Sequence, residues 1–391
     1  MSAAIGSAFS ALDLERVPSP CYVIDLVRLE DNLKLLESIA NAADVQILLA
    51  LKAFSCFAVA DLIGQFLHGT AASGLWEARL GRRRFSGEVH SYVPGLKADQ
   101  LAEIETLSDH LIFNSLQQWS RFETGLTPGA SDSCGLRINP RHSEVETPLY
   151  DPCAAWSRLG VTVAQLSDRL PDRIRGFHLH ALCDQGFKPF DRLLTAVEAR
   201  FGAWFDSIDW LNLGGGQLIT AADYPVDRLI ARLRDLRRRT DLSVYLEPGT
   251  AVALDAGALV TEVLDTGFND GHFAVLDCSA TCHMPDVIEA PYTPDLLGAE
   301  TTDTPDSNDP VIYRLGGPTC LAGDIIGTYR FENPPVVGER LCILDQAYYT
   351  MVKATTFNGT PLPAIALWDR VCDTLEVIRQ FSYEDFERRL S

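Results

Sequence analysis

Lys52 stands inside the stretch QILLALKAFS, residues 46–55, directly after Ile47, Leu48, Leu49, Ala50 and Leu51. An apolar run of that kind reads as a strand buried on both faces, as in a parallel sheet. An ammonium drawn into it must be paired or lose its proton. A covalent escape also exists, because a buried amine can condense with the aldehyde of a cofactor. A side chain that snorkels its amine to solvent is the simpler explanation when the stretch is taken alone.

Four further features sit at the ends of apolar runs. Arg137 ends one and His180 another; Gly214, Gly215 and Gly216 directly follow a third, and Glu247 ends the last, ahead of Pro248 and Gly249. Three consecutive glycines let backbone N–H groups approach a phosphate that side chains would obstruct. His180 can stack on a planar ring, and a buried carboxylate at Glu247 can keep a pyridine nitrogen protonated, making the ring an electron sink. Taken singly, each has a plainer use: a flexible turn, a hydrogen-bonded core histidine, an ion pair between Glu247 and Arg137. Together they describe a ring, a phosphate and an aldehyde gripped at once, as in pyridoxal 5'-phosphate (PLP).

The elements that must position them follow a rhythm. After a short strand at 18–25 and an amphipathic helix at 29–40, strand-like runs recur at 47–51, 69–72, 89–93, 111–113, 135–138, 174–180, 210–213 and 242–246. Helix-period stretches lie between most of them, at 57–67, 75–84, 99–107, 161–170, 190–205 and 226–238. Eight strands alternating with helices predict an α/β fold, a closed parallel (β/α)8 barrel of the TIM type, with a doubly wound open sheet as the alternative. In such a barrel the active site lies at the C-terminal ends of the strands, and phosphate binds after strands seven and eight. All five polar or glycine-rich features fall on that rim.

Past Glu247 the rhythm changes. Runs at 259–264, 272–276, 311–314, 340–344 and 347–351 are strand-like with few helices between them, which predicts a C-terminal β domain of sandwich or barrel type. The expected division is a barrel over 26–255 and a β domain formed by 1–25 and 256–391, while 300–310 reads as a mobile polar surface loop.

A chain of 391 residues that is 47% hydrophobic has ample material for two cores. Its net charge of −20 repels nucleic acid and anionic membranes and draws cations, so a polyamine-like substrate suits it. The first residues lack the basic start and apolar core of a secretion signal, and no run is long enough to cross a bilayer. A soluble cytoplasmic protein is expected. Ten cysteines in so long a chain form no disulfide framework, and Cys21 and Cys342 read as small core residues. Cys278, Cys282 and His283 have a zinc-like flavour without a second pair at finger spacing, so no metal site is expected.

These residues resemble the fold-type III PLP-dependent decarboxylases, relatives of ornithine and diaminopimelate decarboxylase built on an alanine-racemase-like barrel. The matching pieces run in order along the chain: ALKA around Lys52, GFHLH ending at His180, LNLGGG ending at Gly216, EPG from Glu247, GPTCLAGD ending at Asp324, and AYYT with TTFNG around Tyr349. The resemblance implies that Lys52 bonds the coenzyme, His180 lies against its ring, the glycines bind its phosphate and Glu247 pairs with its ring nitrogen. It also implies a homodimer in which Cys320, Asp324 and Tyr349 cross to the other subunit, with Cys320 as candidate proton donor to Cα.

Within that family, LDCSATCHMPDVIEAPY at 276–292, YYTMVKATTFNG at 348–359 and GLRINP at 135–140 are most similar to the branch acting on carboxynorspermidine and carboxyspermidine. Substrates of that kind carry distal amines, for which Asp277, Asp286, Glu289 and His283 are candidate contacts. Ornithine, arginine or diaminopimelate decarboxylation is the alternative, and a non-catalytic PLP-binding or regulatory relative the alternative of a different class. The chain departs from those relatives at Ala181, Leu182 and Cys183, where a Gly-Ser pair often stands, at Thr250 in place of arginine, and at Leu321 in place of an acid. These departures disfavour ornithine and diaminopimelate.

Overall fold

Five residues buried without exception make up the first strand, β1 (Cys21–Asp25), in a computed structural model that describes residues 8–127, 134–303 and 309–391. The chain divides into two units: Glu30–Val252, and Ala253–Ser391 together with the described part of the first 29 residues.

The first unit is the barrel. Its strands are β2 (Gln46–Ala50), β3 (Gly69–Ala72), β4 (Glu88–Tyr92), β5 (His110–Phe113), β6 (Cys134–Arg137), β7 (Ile174–His178), β8 (Trp210–Asn212) and β9 (Ser243–Leu246). They pair in parallel in that order, and β9 closes the ring on β2. Most of their positions are buried on both faces, which is why the apolar runs did not alternate. The outer helices bury one stripe each. Val226–Thr240 turns Leu229, Leu233 and Leu236 inward at helical spacing, each burial worth about 1.5–3 kcal/mol. Asp227 in its first turn and Arg237, Arg238 and Arg239 in its last complement the helix dipole.

The barrel interior is filled by Leu48, Ala71, Ile112, Trp210 and Tyr245. The Trp210 indole lies across the backbone of neighbouring strands: a Cβ added to Gly176 would stand 1.9 Å from its Cε2, and one added to Gly135 2.3 Å from its Cη2. Only glycine fits at either place.

Three local readings change. The expected helix at 161–170 is a single turn, Val163–Gln165, because Val161 is tied in extended form to Ile138 and Arg137, and Thr162 with Gln165 caps one turn only. A helix that was not expected, Leu116–Phe122, starts where Ser115 Oγ accepts the Gln118 N–H. Strand β7 stops at His178, two residues short of His180.

The second unit is a nine-stranded sheet. It joins β1 to β10 (Gly257–Phe268), β11 (His272–Leu276), β12 (Ala299–Thr301), β13 (Ile312–Gly316), β14 (Ile325–Phe331), β15 (Arg340–Leu344), β16 (Ala364–Asp369) and β17 (Thr374–Arg379). Strand β1 runs antiparallel to β10 and parallel to β16. Its residues alternate between two cores, Tyr22 facing Leu259, Leu315 and Tyr329, and Cys21 and Val23 facing Val260, Cys342 and Trp368. The expected strand at 347–351 is a turn instead: Tyr349 has φ +53° and opens the short helix Thr350–Lys353. Of the segment 300–310, Glu300 and Thr301 belong to β12, and 304–308 lie outside the described residues. Among the described residues no helix is long and apolar enough to cross a membrane.

Candidate active site

Lys52 stands two residues past the end of β2, and its Nζ stands 3.3 Å from Nε2 of His180, on the loop after β7. The Gly215 N–H donates to His180 Nδ1 at 3.2 Å, so that nitrogen carries no proton. Burial, with Lys52 and Arg137 nearby, holds the imidazole neutral and places its one proton on Nε2, facing the amine. The amine is itself pushed below its ordinary range, first by burial and then by Arg137. The 3.3 Å contact thus sets the imidazole Nε2 towards the amine, and burial shifts that amine towards its nucleophilic form.

Arg137, the last residue of β6, is buried; it donates to the His180 carbonyl at 3.0 Å and lies 4.5 Å from the centre of the Tyr92 ring. The ion pair with Glu247 is not what holds it.

Glu247 follows β9 and is held from two sides. Asn212 Nδ2 donates to its Oε1 at 2.7 Å, and His178 Nε2 stands 3.2 Å from its Oε2. Burial opposes ionisation, yet these contacts outweigh it and keep the carboxyl well below the usual carboxylate range. Burial pushes His178 down, so it is a neutral donor through Nε2, and its buried Nδ1 has no partner among the described residues.

Gly214, Gly215 and Gly216 thread between the loops after β7 and β9. An added Cβ would meet the carbonyl oxygen of Leu179 at 2.3 Å, of Glu247 at 2.0 Å and of Leu182 at 2.1 Å, respectively. Gly214 and Gly216 also have φ of +66° and +91°. The triplet is therefore required by close backbone approach as well as suited to a phosphate. Two of its N–H groups are already donated, that of Gly214 to Asn212 Oδ1 at 2.9 Å and that of Gly215 to His180.

Six expected residues, or seven counting Arg137, thus meet on one barrel rim. His178 and Asn212 were not singled out from the sequence. Each had a signal: His178 shares the alternation of GFHLH with His180, and a polar amide inside LNL must find partners once buried.

The expected residues of the second unit have other engagements. Asp324 is buried and accepts from Ser279 Oγ at 2.8 Å, the Thr281 N–H at 3.0 Å and Thr319 Oγ1 at 2.7 Å. Asp277 accepts from Thr261 Oγ1 at 2.7 Å and the Glu262 N–H at 2.9 Å, stitching β10 to β11. His283 accepts the Ser279 N–H at Nδ1 and donates from Nε2 to the Pro361 carbonyl, so both ring nitrogens are taken; burial lowers it to about 4. Asp286 and Glu289 both pair with Lys353, the former at 2.6 Å. Cys320 lies on an exposed loop, where Asn358 Oδ1 stands 3.2 Å from its Sγ.

Among the described residues one His/Glu group has ligand atoms within 4.8 Å of one another, Glu88, His90 and His110 at the start of β4 and β5. The two imidazoles stack at 4.1 Å with planes 12° apart, so their lone pairs run side by side instead of converging. His90 instead bridges Glu88 Oε2, 3.0 Å from its Nε2, and Asn212 Nδ2, 3.5 Å from its Nδ1.

A family profile described as pyridoxal-dependent decarboxylase, C-terminal sheet domain, matches residues 21–347. The chain is 43% identical over 380 residues to carboxyaminopropylagmatine decarboxylase of Synechocystis sp., covering 96% of both proteins. It is 37% identical to carboxynorspermidine/carboxyspermidine decarboxylase of Campylobacter jejuni, covering 96% of this chain and 99% of the relative. The crystal structure of carboxynorspermidine decarboxylase from Campylobacter jejuni, complexed with norspermidine, superposes with a TM-score of 0.88 at 36% identity, covering 95% of this chain and all of that one.

Proposed function

This chain belongs to the pyridoxal-dependent decarboxylases, and on that premise we propose that it releases CO2 from carboxynorspermidine or carboxyspermidine, giving norspermidine or spermidine. The observation that carries the reading is the buried Lys52 amine, its pKa lowered by that burial and its nitrogen 3.3 Å from His180, on the same rim as the ionised, doubly held Glu247. PLP fits these residues, since an aldehyde needs a free amine and a pyridinium needs a buried anion. When bound, that coenzyme takes up the electron pair left when the Cα–carboxylate bond breaks.

The chain's own residues do the rest. Lys52 is the amine that would hold the coenzyme by its aldehyde. His180, pinned by Gly215, offers a flat neutral face to the ring. Glu247 would hold a proton on the ring nitrogen, and the triplet Gly214, Gly215, Gly216 with Arg137 would hold the phosphate. Cys320 returns a proton to Cα, and with Tyr349 it reaches the site of a second subunit, so the working form is a homodimer. Its exposed loop, with Leu321 45% exposed beside it, suits burial against a partner.

For the distal amines, Asp286 and Glu289 are the acids a polycation can compete for, because Lys353 already holds them in a cation's place. Asp277, His283 and Asp324 serve the β domain. None of the ten cysteines is in a disulfide, which suits the reducing cytoplasm.

The Synechocystis relative favours a second reading, carboxyaminopropylagmatine, which has the same reacting carboxylate and ends in a guanidinium. Measuring CO2 release from these three compounds and from ornithine, arginine and diaminopimelate decides. At least tenfold higher kcat/KM on a carboxylated polyamine is expected; comparable turnover of ornithine overturns the substrate assignment.

A further inference from the structure

Asn212 is wholly buried in the barrel, with 0% exposure, and every hydrogen-bonding group of its side chain has a partner. One amide hydrogen goes to Glu247 Oε1 at 2.7 Å, and Oδ1 accepts the Gly214 N–H at 2.9 Å. The second amide hydrogen points to His90 Nδ1 at 3.5 Å, a long and weak bond. His90 can accept there only if its proton is on Nε2, which is where Glu88 Oε2 stands, 3.0 Å away. The carboxylate of Glu88 thus selects the His90 tautomer, and that tautomer agrees with the way Glu247 and Gly214 turn the Asn212 amide. A flipped amide would set an oxygen against Glu247 and an NH2 against the Gly214 N–H, losing both bonds.

The two good bonds of Asn212 lead to opposite ends of one seat. Glu247 faces the ring nitrogen in the reading above, and Gly214 begins the loop on the phosphate side. We propose that Asn212 is a positioning residue that fixes the distance and orientation between these two ends, with His90 and Glu88 holding it from the far side of the barrel. The inference rests on the coenzyme reading. It assigns no contact between Asn212 and substrate; Asn212 acts through Glu247 and Gly214.

Two substitutions separate the ends. Asn212→Ala removes both bonds. Asn212→Asp keeps an oxygen for the Gly214 N–H and replaces the donor to Glu247 with a second acceptor, where two oxygens must share a proton. Three measurements on the full chain read the result: hydrogen exchange of residues 211–217 in coenzyme-free protein, the PLP dissociation constant by absorbance titration, and the wavelength of the bound coenzyme's visible band. In Asn212→Ala, exchange speeds up about tenfold and the dissociation constant rises about tenfold, the loss of roughly one good buried bond at each end. In Asn212→Asp, exchange stays within about twofold of wild type while affinity still falls and the band shifts, because the Glu247 carboxyl then faces a second carboxyl oxygen where an amide donor stood. A purely structural residue would not divide its effects in that way. A dissociation constant within twofold of wild type in Asn212→Ala overturns the inference, and if that variant does not fold, unchanged affinity in Asn212→Asp overturns it. A wild-type chain with no visible band removes the coenzyme reading, and this inference with it.

Discussion

The barrel rim and the β domain both bury histidines and carboxylates, and they treat them in opposite ways. On the rim, groups are left able to react: burial pushes the Lys52 amine below its ordinary range, Glu247 is ionised, and His178 keeps a nitrogen without a partner among the described residues. In the β domain the comparable groups are saturated, Asp324 by donors from three residues and His283 at both ring nitrogens. Saturation serves stability and suspended valence serves chemistry, so the same residue types carry different roles in the two units.

That contrast is most directly broken at Lys52. Lys52→Ala is expected to abolish the visible absorbance of the coenzyme-loaded protein and lower kcat by more than about a thousandfold, with its thermal transition within a few degrees of wild type. A retained band would place the reactive amine elsewhere.

At Asp324 the opposite pattern is expected. Asp324→Asn turns an amide towards donors that need an acceptor, costing about 2–3 kcal/mol and lowering Tm by about 5 °C, while coenzyme affinity holds. Lost affinity with an unchanged Tm would move Asp324 from the stabilising group into the reacting one.

His283 sharpens the comparison through pH. Its pKa is about 4 in the fold against about 6.5 when free, so between those values the unfolded chain binds the extra proton. Stability from this group is therefore complete above pH 6.5 and declines as pH falls towards 4, by up to about 3 kcal/mol. Denaturant unfolding at pH 7 and pH 5 should show a smaller acid loss in His283→Gln than in wild type. Equal losses would show that the imidazole is not held neutral.

Much of the rim was legible because its residues break a strong pattern: a lysine, a histidine and a glutamate at the ends of apolar strands have few uses other than chemistry. The eight strands were legible for the same reason, being too short and too evenly apolar for helices. Asn212 and His178 escaped notice because a single polar residue within such a strand has no periodicity to betray it; only partners from other strands give it meaning. Helical spacing at 161–170 misled because periodicity is local, whereas the parallel bridge from Ile138 to Val161 draws that segment out. The saturation of Asp324 was beyond sequence, since its donors come from residues 279, 281 and 319.

The indole of Trp210, laid over Gly135 and Gly176, also gives the barrel an intrinsic fluorophore two residues from Asn212 on the same strand. Its emission overlaps the absorption of a pyridoxal chromophore, so loading of the seat would quench it by energy transfer. Occupancy could then be followed by light in the unlabelled protein, over the time course after mixing in a stopped-flow cell.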